Sequence, residues 1–556
     1  MNRKWWKEAV AYQIYPMSFY DSNDDGVGDI NGIIQKLDYL TSLGINALWL
    51  SPLYQSPNKD NGYDISDYYS INPVYGTMAD MDELLQRAHE KGIKVIMDLV
   101  INHTSNEHFW FQESRKSRDN PYRDYYYWRG PKNSREPNNW AAFFEPSAWH
   151  YDQRTDQYYL GVFSGYQPDL NWENPKVRKE LYSMINWWLE KGIDGFRLDA
   201  INLISKVPGL PDNESHSNER YVFSHKNFVD GPRVHEFIRE MREQTFDHYD
   251  VFTVGECGYI TPEKAKLYAG EVGNEFDMVF IFEHTDYYKE HGKDIKKLKE
   301  IISRWQTELH GEAWTGLCFS NHDLPRIVSM FGDEGRYREE SAKLFAMFLL
   351  TLEGTPFIFQ GDEIGMPNTY YHSIDAYRDI SAFKLYNRLK KEGLDEESIM
   401  KQVRVFSRDR CRTPIHWDNT KNAGFSRVRP WLQVNGQQMT INVEDNLRDP
   451  DSVLHFYRKM IDLRKKNPAL VYGEFVLVQT DQEGLFAYKR RLDEDEFFVV
   501  MNLSDQKKTL ITRDFSKGCN ILLSVYHDRG VLEKTSGMPF ITMMLRPYEA
   551  VLMKLL

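Results

Sequence analysis

Eight short apolar runs recur along the chain, with segments of helical periodicity between them. The runs span 10–16, 47–52, 94–100, 195–200, 251–256, 278–282, 316–323 and 356–363. Most are continuous rather than alternating, as expected for parallel strands buried on both faces. Four intervening segments carry apolar residues at three- and four-residue spacing and end at a glycine that predicts a helix C-cap, namely 33–44, 81–92, 177–192 and 341–354. Strand–helix alternation over eight units predicts an α/β fold, a closed (β/α)8 TIM barrel.

Two stretches interrupt this rhythm, and a third follows it. Residues 104–171 are too long for a structureless loop, so we predict a small domain inserted after the third strand. Residues 368–450 are expected to be irregular. From 473 onward, short alternating strands such as EFVLVQ and EFFVVMNLS predict a C-terminal antiparallel β-sandwich. The predicted division is therefore a barrel from 1–103 and 172–472, an inserted domain at 104–171 and a sandwich at 473–556.

Net charge and cysteine content indicate which binding partners and which cellular compartment to expect. The formal net charge is −13, so the surface is expected to repel nucleic acid and anionic lipid. The four cysteines show no metal-ligand spacing and are expected to be reduced thiols. No apolar segment has the length of a signal peptide or a membrane span. We expect a cytoplasmic protein without nucleic-acid or membrane partners, and a monomer or weak homodimer.

Three of the strand-length strings end on a carboxylate. They are GFRLDA with Asp199, FTVGE with Glu256 and FSNHD with Asp323, separated by 57 and then 67 residues. A TIM barrel builds its active site at the C-terminal ends of its strands, where these carboxylates would converge. Three converging carboxylates suggest sugar chemistry, with a nucleophile, an acid/base and a helper.

Together with DLVINH (98–103), these strings closely resemble the signature of the α-amylase family of glycoside hydrolases. QPDLNWE (167–173), NGYDISDY (61–68) and SRDRCRTPIHW (407–417) narrow the resemblance to its oligo-1,6-glucosidase and α-glucosidase branch. The resemblance covers essentially the whole chain. It implies a retaining, exo-acting α-glucosidase that removes the terminal non-reducing glucose from short oligosaccharides of the maltose or isomaltose type. It implies no organic cofactor.

The resemblance assigns separate roles to the three carboxylates. Asp199 would be the nucleophile that forms a covalent glucosyl-enzyme, and Glu256 the general acid and then base. Asp323 would bind the 2- and 3-hydroxyls of the distorted sugar ring. Arg197 lies two residues before Asp199 on the same face of the strand and can keep it ionised. Glu256 needs a raised pKa, and retention predicts carboxyl groups about 5 Å apart.

The same resemblance predicts a closed glucose pocket. His103 and His322 would donate hydrogen bonds to the sugar. Asp60 and Arg408 would bind the hydroxyls of the non-reducing end, and Tyr63 would stack on the ring. Further lining residues would come from the inserted domain, namely Phe144, Phe163 and Gln167. Arg412 is an alternative to Arg408, because both occur in the same motif. Asp64 is an alternative to Asp60, because it lies close to it in the sequence.

The string DSNDDGVGD (21–29) has calcium-loop spacing. Oxygen ligands fall at loop positions 1, 3, 5, 7 and 9, which are Asp21, Asn23, Asp25, the Val27 carbonyl and Asp29. Position 12 is Gly32 rather than a bidentate Glu, so the loop is not a standard EF-hand, and an Asx-rich turn is the alternative. Because the branch it resembles carries a structural Ca²⁺ here, we expect Ca²⁺, with Mg²⁺ left open.

Departures from the family pattern bear on the substrate. Ala200 stands where many α-1,6-specific relatives have Val, which by resemblance indicates α-1,4 or broader preference. Arg410 adds a positive charge near the expected pocket rim, so a trehalose-6-phosphate hydrolase stays open as an alternative. A sucrose isomerase or glucosyltransferase ranks lower, because the chain has no RLDRD string. A non-catalytic binding subunit ranks last, because all three carboxylates are present.

Overall fold

Eight parallel strands close into a barrel in the computed structural model. They are β1 (Ala11–Ile14), β2 (Ala47–Leu50), β3 (Lys94–Val100), β4 (Gly195–Asp199), β5 (Phe252–Gly255), β6 (Met278–Phe280), β7 (Thr315–Cys318) and β8 (Thr355–Phe359). Each strand pairs with its neighbours in sequence, and β8 pairs back to β1. The predicted TIM barrel is therefore confirmed. The structure describes residues 3–214, 220–270, 273–434, 436–480, 482–512, 518–528 and 541–556.

Helices surround the barrel and connect its strands. Up to β7 they are Trp5–Glu8, Ile30–Gln35, Leu37–Leu43, Met78–Glu90, Pro175–Lys191, Val234–Gln244, Pro262–Ala269, Glu283–His291 and Ile295–Leu309. After β7 they are Ile327–Met330, Arg338–Thr351, Ile380–Lys391, Glu396–Phe406, Val443–Arg448, Val453–Lys466 and Pro468–Tyr472. The expectation that 368–450 is irregular is wrong, since three of these helices lie there, N-capped by Asp379, Asp395 and Asn442.

The predicted glycine ends are only partly confirmed. Gly44 and Gly192 are left-handed C-caps, with φ of 96° and 106°. Gly92 follows the C-cap Lys91. The prediction for Gly354 is wrong, because its helix ends three residues earlier, at Thr351. Gly354 instead turns the chain into β8 at φ 131°, where a Cβ would lie 2.7 Å from the Thr315 carbonyl oxygen.

Bulky apolar side chains fill the lower part of the barrel interior. The rings of Trp49, Phe280 and Phe357 pack against one another at centroid distances of 4.9 to 6.0 Å. Side chains alternate along a strand, so the residue two positions beyond a core residue also points inward. Asp98, two residues beyond Ile96 of this core, therefore points into the barrel nearer the C-terminal end of β3. The apolar layer thus supports a polar layer at the barrel mouth.

A small unit is inserted between β3 and the helix Pro175–Lys191. It contains the helix Phe109–Ser114 and an antiparallel sheet in the order Trp128–Arg129, Gln157–Leu160, Trp149–Asp152. Phe111 stacks on Trp128 at 5.7 Å. The inserted unit returns to the barrel where the Leu170 amide donates to the Asn102 carbonyl at 2.9 Å. It therefore lies beside the C-terminal end of β3, while its limits at 104 and 171 stay a prediction.

The C-terminal region forms two antiparallel sheets. Their strands are β9 (Glu474–Val478), β10 (Leu485–Leu492), β11 (Asp495–Asn502), β12 (Lys508–Thr512), β13 (Cys519–Ser524), β14 (Ile541–Leu545) and β15 (Ala550–Leu555). The first sheet has the order β9-β10-β11-β15-β13, and β12 pairs with β14. Phe498 and Leu510, one from each sheet, share a buried apolar cluster. The predicted C-terminal antiparallel β-sandwich is confirmed.

Within the described ranges no helix is both long enough and apolar enough to cross a membrane. All four cysteines are free thiols, and Cys257, Cys318 and Cys411 are buried. The expectation of unpaired cysteines therefore agrees with the structure.

Candidate active site

Arg197 lies at the centre of the polar layer at the barrel mouth. Its side chain is fully buried, and its Nη1 donates to Asp98 Oδ1 and Asp199 Oδ1, both at 2.6 Å. Its Nη2 lies 2.6 Å from Glu256 Oε2. One guanidinium therefore ties together carboxylates from β3, from β4 and from the residue after β5. Asp199 and Glu256 are held side by side by adjacent nitrogens of one fork.

Asp199 and Glu256 differ in pKa. Burial raises the pKa of Asp199 to about 6, although Arg197 opposes the shift. Burial raises the pKa of Glu256 to about 7, where Arg197 again opposes and the negative charges of Asp199 and Asp323 add to the increase. Near neutral pH, Asp199 is therefore mainly ionised while Glu256 holds a proton in a large fraction of molecules. This is the division of charge that a nucleophile and a general acid need.

Ala200 links the ends of β4 and β5 through an unusual backbone conformation. Its φ of 43° and ψ of 37° place it in the left-handed region directly after Asp199. That conformation costs energy for any residue with a Cβ, and most for a β-branched one. It directs the Ala200 amide to Glu256 Oε2 at 3.1 Å. A small side chain at this position therefore keeps the strain low while the amide helps to fix Glu256.

Asp323 reaches the site from a loop rather than from a strand end. The predicted strand 316–323 is too long, because β7 ends at Cys318. Asp323 Oδ1 accepts from Arg412 Nη2 at 2.6 Å and lies 3.5 Å from Arg408 Nη1, and its Oδ2 lies 3.0 Å from His322 Nε2. Burial opposes ionisation, but His322 and the two guanidinium groups hold the pKa of Asp323 well below its usual range. Asp323 is therefore a fixed negative charge.

Tyr63 and His322 form a stacked pair below the carboxylates. Their rings are parallel at 5.2 Å, and the Tyr63 hydroxyl lies 2.6 Å from His322 Nε2. The same hydroxyl donates to Asp98 Oδ2 at 3.0 Å. On the other side of the imidazole, Gln13 Nε2 lies 2.7 Å from His322 Nδ1. Burial lowers the pKa of His322, so this ring is neutral at neutral pH.

Asp60 forms the centre of a polar wall at one side of the pocket. Arg408 Nη2 donates to Asp60 Oδ1 at 2.7 Å, and Gln167 Nε2 donates to Asp60 Oδ2 at 3.0 Å. His103 lies next to them, with its Nε2 at 3.0 Å from the Tyr63 carbonyl oxygen and 3.3 Å from Gln167 Nε2. Two aromatic side chains continue the wall, with Phe144 5.1 Å from the Arg408 guanidinium carbon and Phe163 5.0 Å from the His103 ring.

The structure distinguishes Arg408 from Arg412 and Asp60 from Asp64 as candidates for binding the sugar. Arg408 lines the pocket, whereas Arg412 is fully buried beneath it and donates from Nε to the His322 carbonyl at 2.7 Å. Asp64 accepts from the backbone amides of Lys59 and Asp60 and is fully buried. Arg408 and Asp60 are therefore placed to touch a ligand, while Arg412 and Asp64 support the residues beside them.

These side chains surround a pocket of about 1620 Å³. Most of the residues predicted for the sugar site line it, namely Asp60, Tyr63, His103, Phe144, Phe163, Gln167, Asp199, Ala200, Glu256, Asp323 and Arg408. The other two, Arg197 and His322, lie behind this lining with no exposed surface. A buried acidic pair beside a closed polar wall can cleave a bond at the terminus of a sugar chain.

Comparison with known proteins identifies the family. A profile of the α-amylase catalytic domain matches residues 13–473. The chain belongs to the α-amylase family of glycoside hydrolases.

Individual relatives within this family cover nearly the whole chain. An oligo-1,6-glucosidase of Parageobacillus thermoglucosidasius is 52% identical over 514 residues, which are 91% of this chain and 92% of the relative. The crystal structure of a trehalose-6-phosphate hydrolase from Bacillus licheniformis is 44% identical and superposes with a TM-score of 0.91, over 99% of this chain and 100% of the other. A trehalulose synthase from Pseudomonas mesoacidophila is 39% identical, with a TM-score of 0.93 over 100% of both chains.

Sequence reasoning missed two carboxylates of this α-amylase family site. Asp98 stands in the quoted string DLVINH, and side-chain alternation from Ile96 could have shown that it points into the barrel. Asp379 had no such signal, because it lies in a stretch expected to be irregular. It is fully buried and accepts from Arg408 Nε at 3.1 Å and Nη2 at 2.7 Å. Asp379 thereby fixes the guanidinium that reaches the polar wall.

The candidate metal loop of this family member is a series of Asx turns after β1. Asp21 Oδ2 accepts from the Gly26 amide at 2.8 Å, and Asp25 Oδ1 accepts from the Val27 amide at 2.8 Å. Asp29 caps the helix Ile30–Gln35 by accepting from the Gly32 amide at 2.6 Å. No group of three His, Cys, Asp or Glu side chains in the described residues is placed to hold a metal. Carboxylate, amide and carbonyl oxygens of the loop remain a donor set of the kind that Ca²⁺ prefers.

Proposed function

We propose that the protein is a retaining, exo-acting α-glucosidase that hydrolyses the terminal non-reducing α-glucosyl unit of short oligosaccharides. The observation that carries this proposal is the pair of Asp199 and Glu256 on one guanidinium, facing a pocket that the Asp60 wall closes. Relatives named oligo-1,6-glucosidase at about half sequence identity support it.

The mechanism follows from the charge states of the pair. Asp199, ionised beside Arg197, attacks the anomeric carbon while Glu256 gives its proton to the glycosidic oxygen, which leaves with the rest of the substrate. The glucose is then bound covalently to Asp199. Glu256, now ionised, takes a proton from water, whose oxygen attacks the anomeric carbon and releases Asp199. Two displacements return the sugar to the α configuration.

The wall limits the reaction to one terminal glucose. Asp60 and Arg408 bind the hydroxyls of the non-reducing end, and the fixed negative charge of Asp323 binds the 2- and 3-hydroxyls and favours the cationic transition state. His103 and Gln167 add hydrogen bonds beside them. Asp60 is already hydrogen-bonded to Arg408 and Gln167. A sugar chain therefore cannot extend beyond the terminal glucose on this side of the pocket.

The proposal also concerns which glycosidic linkage the enzyme prefers. The small, strained Ala200 beside the scissile bond leaves space for an α-1,4-linked or differently angled second sugar. Two of the compared structures are named as a trehalose-6-phosphate hydrolase and a trehalulose synthase. Trehalose-6-phosphate hydrolysis and sucrose isomerisation both stay alternatives for this chain. A cytoplasmic location and a monomer or weak homodimer stay predictions. The unpaired cysteines support a reducing compartment.

The test is a substrate panel with the purified protein. Maltose, isomaltose, sucrose and trehalose 6-phosphate are offered to the wild type and to Asp199→Asn. We expect hydrolysis of maltose or isomaltose, with α-glucose as the first product in a time-resolved NMR spectrum. Loss of the nucleophile is expected to lower kcat by about a thousandfold or more.

The exposed Asp119→Asn serves as the matched carboxylate-to-amide control and should keep wild-type kcat. Cleavage of trehalose 6-phosphate alone would overturn the oligosaccharide proposal. Release of β-glucose first would overturn retention, and full activity of Asp199→Asn would remove Asp199 from the mechanism.

We propose further that the loop Asp21–Asp29 binds a structural Ca²⁺ through Asp21, Asn23, Asp25, the Val27 carbonyl and Asp29. Bound there, the ion would supply charge balance that stiffens the chain after β1, away from the reacting atoms. We expect EDTA to lower the wild-type Tm and to have little effect on Asp25→Asn. An unchanged Tm together with calcium-free protein in elemental analysis would count against this site.

A further inference from the structure

Lys343 is a buried lysine whose charge has no partner. It lies in the helix Arg338–Thr351, where every residue from Ser341 onward is buried, and it is the one charged residue in that run. Its exposed fraction is 9%. Among the described residues, its ammonium group has neither an ion pair nor a hydrogen bond. Burying a charge without a partner is costly, so this position needs an explanation.

Lys343 lines a cavity of about 270 Å³ at the junction of the barrel and the C-terminal sheets. A second barrel helix, Val453–Lys466, contributes Ser452, Phe456 and Lys459, which lie along one face of it at helical spacing. Residues 521–527, from β13 and the chain after it, close the opposite side. None of the described residues that line this cavity also lines the active-site pocket. The cavity is therefore separate from the catalytic carboxylates.

The lining of this cavity carries more positive than negative charge. Lys459 is exposed at its edge, where its Nζ lies 3.4 Å from the Pro450 carbonyl oxygen, and no carboxylate of the described chain pairs with it. The one carboxylate in the described lining is Asp451, whose Oδ2 lies 3.7 Å from His527 Nδ1. Two lysines thus face one aspartate. In a protein of net charge −13 such a local excess favours an anionic ligand.

Backbone groups around the cavity add to its preference for an anion. The helix Val453–Lys466 has 14 residues, and its N-cap Ser452 places the positive end of the helix dipole beside the cavity. β13 is the outermost strand of its sheet, and a β-bulge at Leu522 interrupts its pairing with β15. A bulged edge strand presents backbone N–H groups outside the sheet ladder. Cations, a helix N-terminus and free amides are the donors that bind oxyanions.

We propose that this cavity binds a small oxyanion of the phosphate type, with Lys343 and Lys459 as its cations. A dianion balances two lysines, whereas a carboxylate would balance one and a neutral ligand none. The bound anion would connect two barrel helices to β13 and so stabilise the contact between the barrel and the C-terminal sheets. The site needs no part of the catalytic machinery, so the inference stands apart from the proposed activity.

The experiment measures binding of inorganic phosphate to the full chain, with sodium chloride at equal ionic strength as the reference. Differential scanning fluorimetry should show a saturable rise in Tm of about 1 to 3 °C in phosphate that chloride does not give. Isothermal titration calorimetry should show one phosphate per chain. sn-Glycerol 3-phosphate is tested beside it, and the tighter of the two ligands shows whether the site takes free phosphate or the phosphoryl group of an ester.

Lys343→Met removes the charge and keeps the length of the apolar stem. It should weaken phosphate binding at least about tenfold and abolish the saturable rise in Tm, whereas Lys343→Arg, which keeps a cation, should retain it. Lys459→Met should weaken binding roughly twofold to fivefold, because this ammonium group is exposed. The control Lys179→Met removes an exposed lysine from the helix Pro175–Lys191, where it has no ion pair among the described residues, and should respond like the wild type.

The absence of a saturable response to phosphate in the wild type would overturn the inference. Equal affinity of the wild type and Lys343→Met would do the same, because the anion would then bind elsewhere. A general effect of phosphate on hydration raises the Tm of both proteins equally and so counts against the site. Should Lys343→Met fail to fold, Lys459→Met decides in its place, since wild-type affinity in that variant would also place the anion elsewhere.

Discussion

Arg197 places one positive charge among three carboxylates, so the site carries more acid than it can neutralise. Side-chain exposure rises from 0% for Asp98 through 11% for Asp199 to 22% for Glu256. The excess negative charge is relieved by a proton, which resides most readily on Glu256, the group with the highest pKa of the three. The most accessible carboxyl is thus the one that can give its proton to a substrate.

The first prediction is a bell-shaped pH profile of kcat/KM. Asp199 must be ionised to attack, so activity should fall as the pH drops below about 6. Glu256 must be protonated to act as an acid, so activity should fall as the pH rises above about 7. Because the two groups interact, the measured values belong to the pair. Initial rates on maltose from pH 4 to 9 check the profile.

Glu256→Gln separates the two limbs when α-glucosyl fluoride is the substrate, because fluoride leaves without a proton. The acidic limb should remain and the alkaline limb should disappear. The control Asp119→Asn should keep both limbs. An alkaline limb that persists in Glu256→Gln would assign the titration to another group.

How far single residues could be predicted depended on whether a local pattern pointed to them. Asp199 and Glu256 follow apolar runs directly, so strand position and motif identified them together. Arg408 and Arg412 could not be told apart from the sequence, because the difference is whether each guanidinium faces the pocket or the loop beneath it. Asp379 lies 29 residues before Arg408 and meets it only through tertiary folding.

Among the elements, the strands were the easiest to predict and their ends the hardest. Continuous burial on both faces gives each barrel strand an apolar run, which the sequence shows directly. The predicted strand extended past Cys318 because the string FSNHD was assigned to the strand end, although only Phe319 among residues 319–323 is apolar. The predicted helix 33–44 is two helices, Ile30–Gln35 and Leu37–Leu43, because the backbone leaves the helical region at Lys36 (φ −101°, ψ 4°). Ends depend on backbone conformation, which periodicity does not report.

Gly195, the first residue of β4, gives a prediction at this scale. Its φ is 148°, and a Cβ would lie 1.9 Å from the Phe252 carbonyl oxygen of β5, its partner in the sheet. Gly195→Ala must therefore push apart the two strands that position Asp199 and Glu256. We expect little folded protein or, in what folds, a kcat/KM on maltose at least about tenfold lower, because such sites tolerate displacements of well under 1 Å.

Gly192→Ala is the matched control three residues earlier. Gly192 also has a positive φ, of 106°, but nothing lies within 4 Å of an added Cβ. It should cost only about 1 to 3 kcal/mol in free energy of unfolding, from backbone strain, and keep wild-type kcat/KM. If the two variants were equally stable and active, the close contact between β4 and β5 would not matter for the site.

At the scale of the whole molecule, the C-terminal sheets are part of the barrel's support. One face of the first sheet packs on the helix Arg338–Thr351, where Phe486 lies 5.5 Å from Phe348 and the Tyr488 hydroxyl lies 2.6 Å from Thr351 Oγ1. The opposite face, including Phe498, forms the core between the two sheets. Since that helix leads directly into β8, the sheets and the barrel should unfold together.

Two phenylalanine substitutions on opposite faces of this sheet test the coupling. Phe486→Ala removes a buried ring from the contact with the barrel, and Phe498→Ala removes one from the core between the sheets. Each should cost about 3 to 5 kcal/mol in free energy of unfolding. If the C-terminal sheets are coupled to the barrel, differential scanning calorimetry will show one transition in both variants, shifted to lower temperature by similar amounts. Activity on maltose at 25 °C should be retained, because neither ring approaches the pocket lining.

A separate early transition in Phe498→Ala, with the main transition unmoved, would show that the C-terminal sheets unfold independently of the barrel.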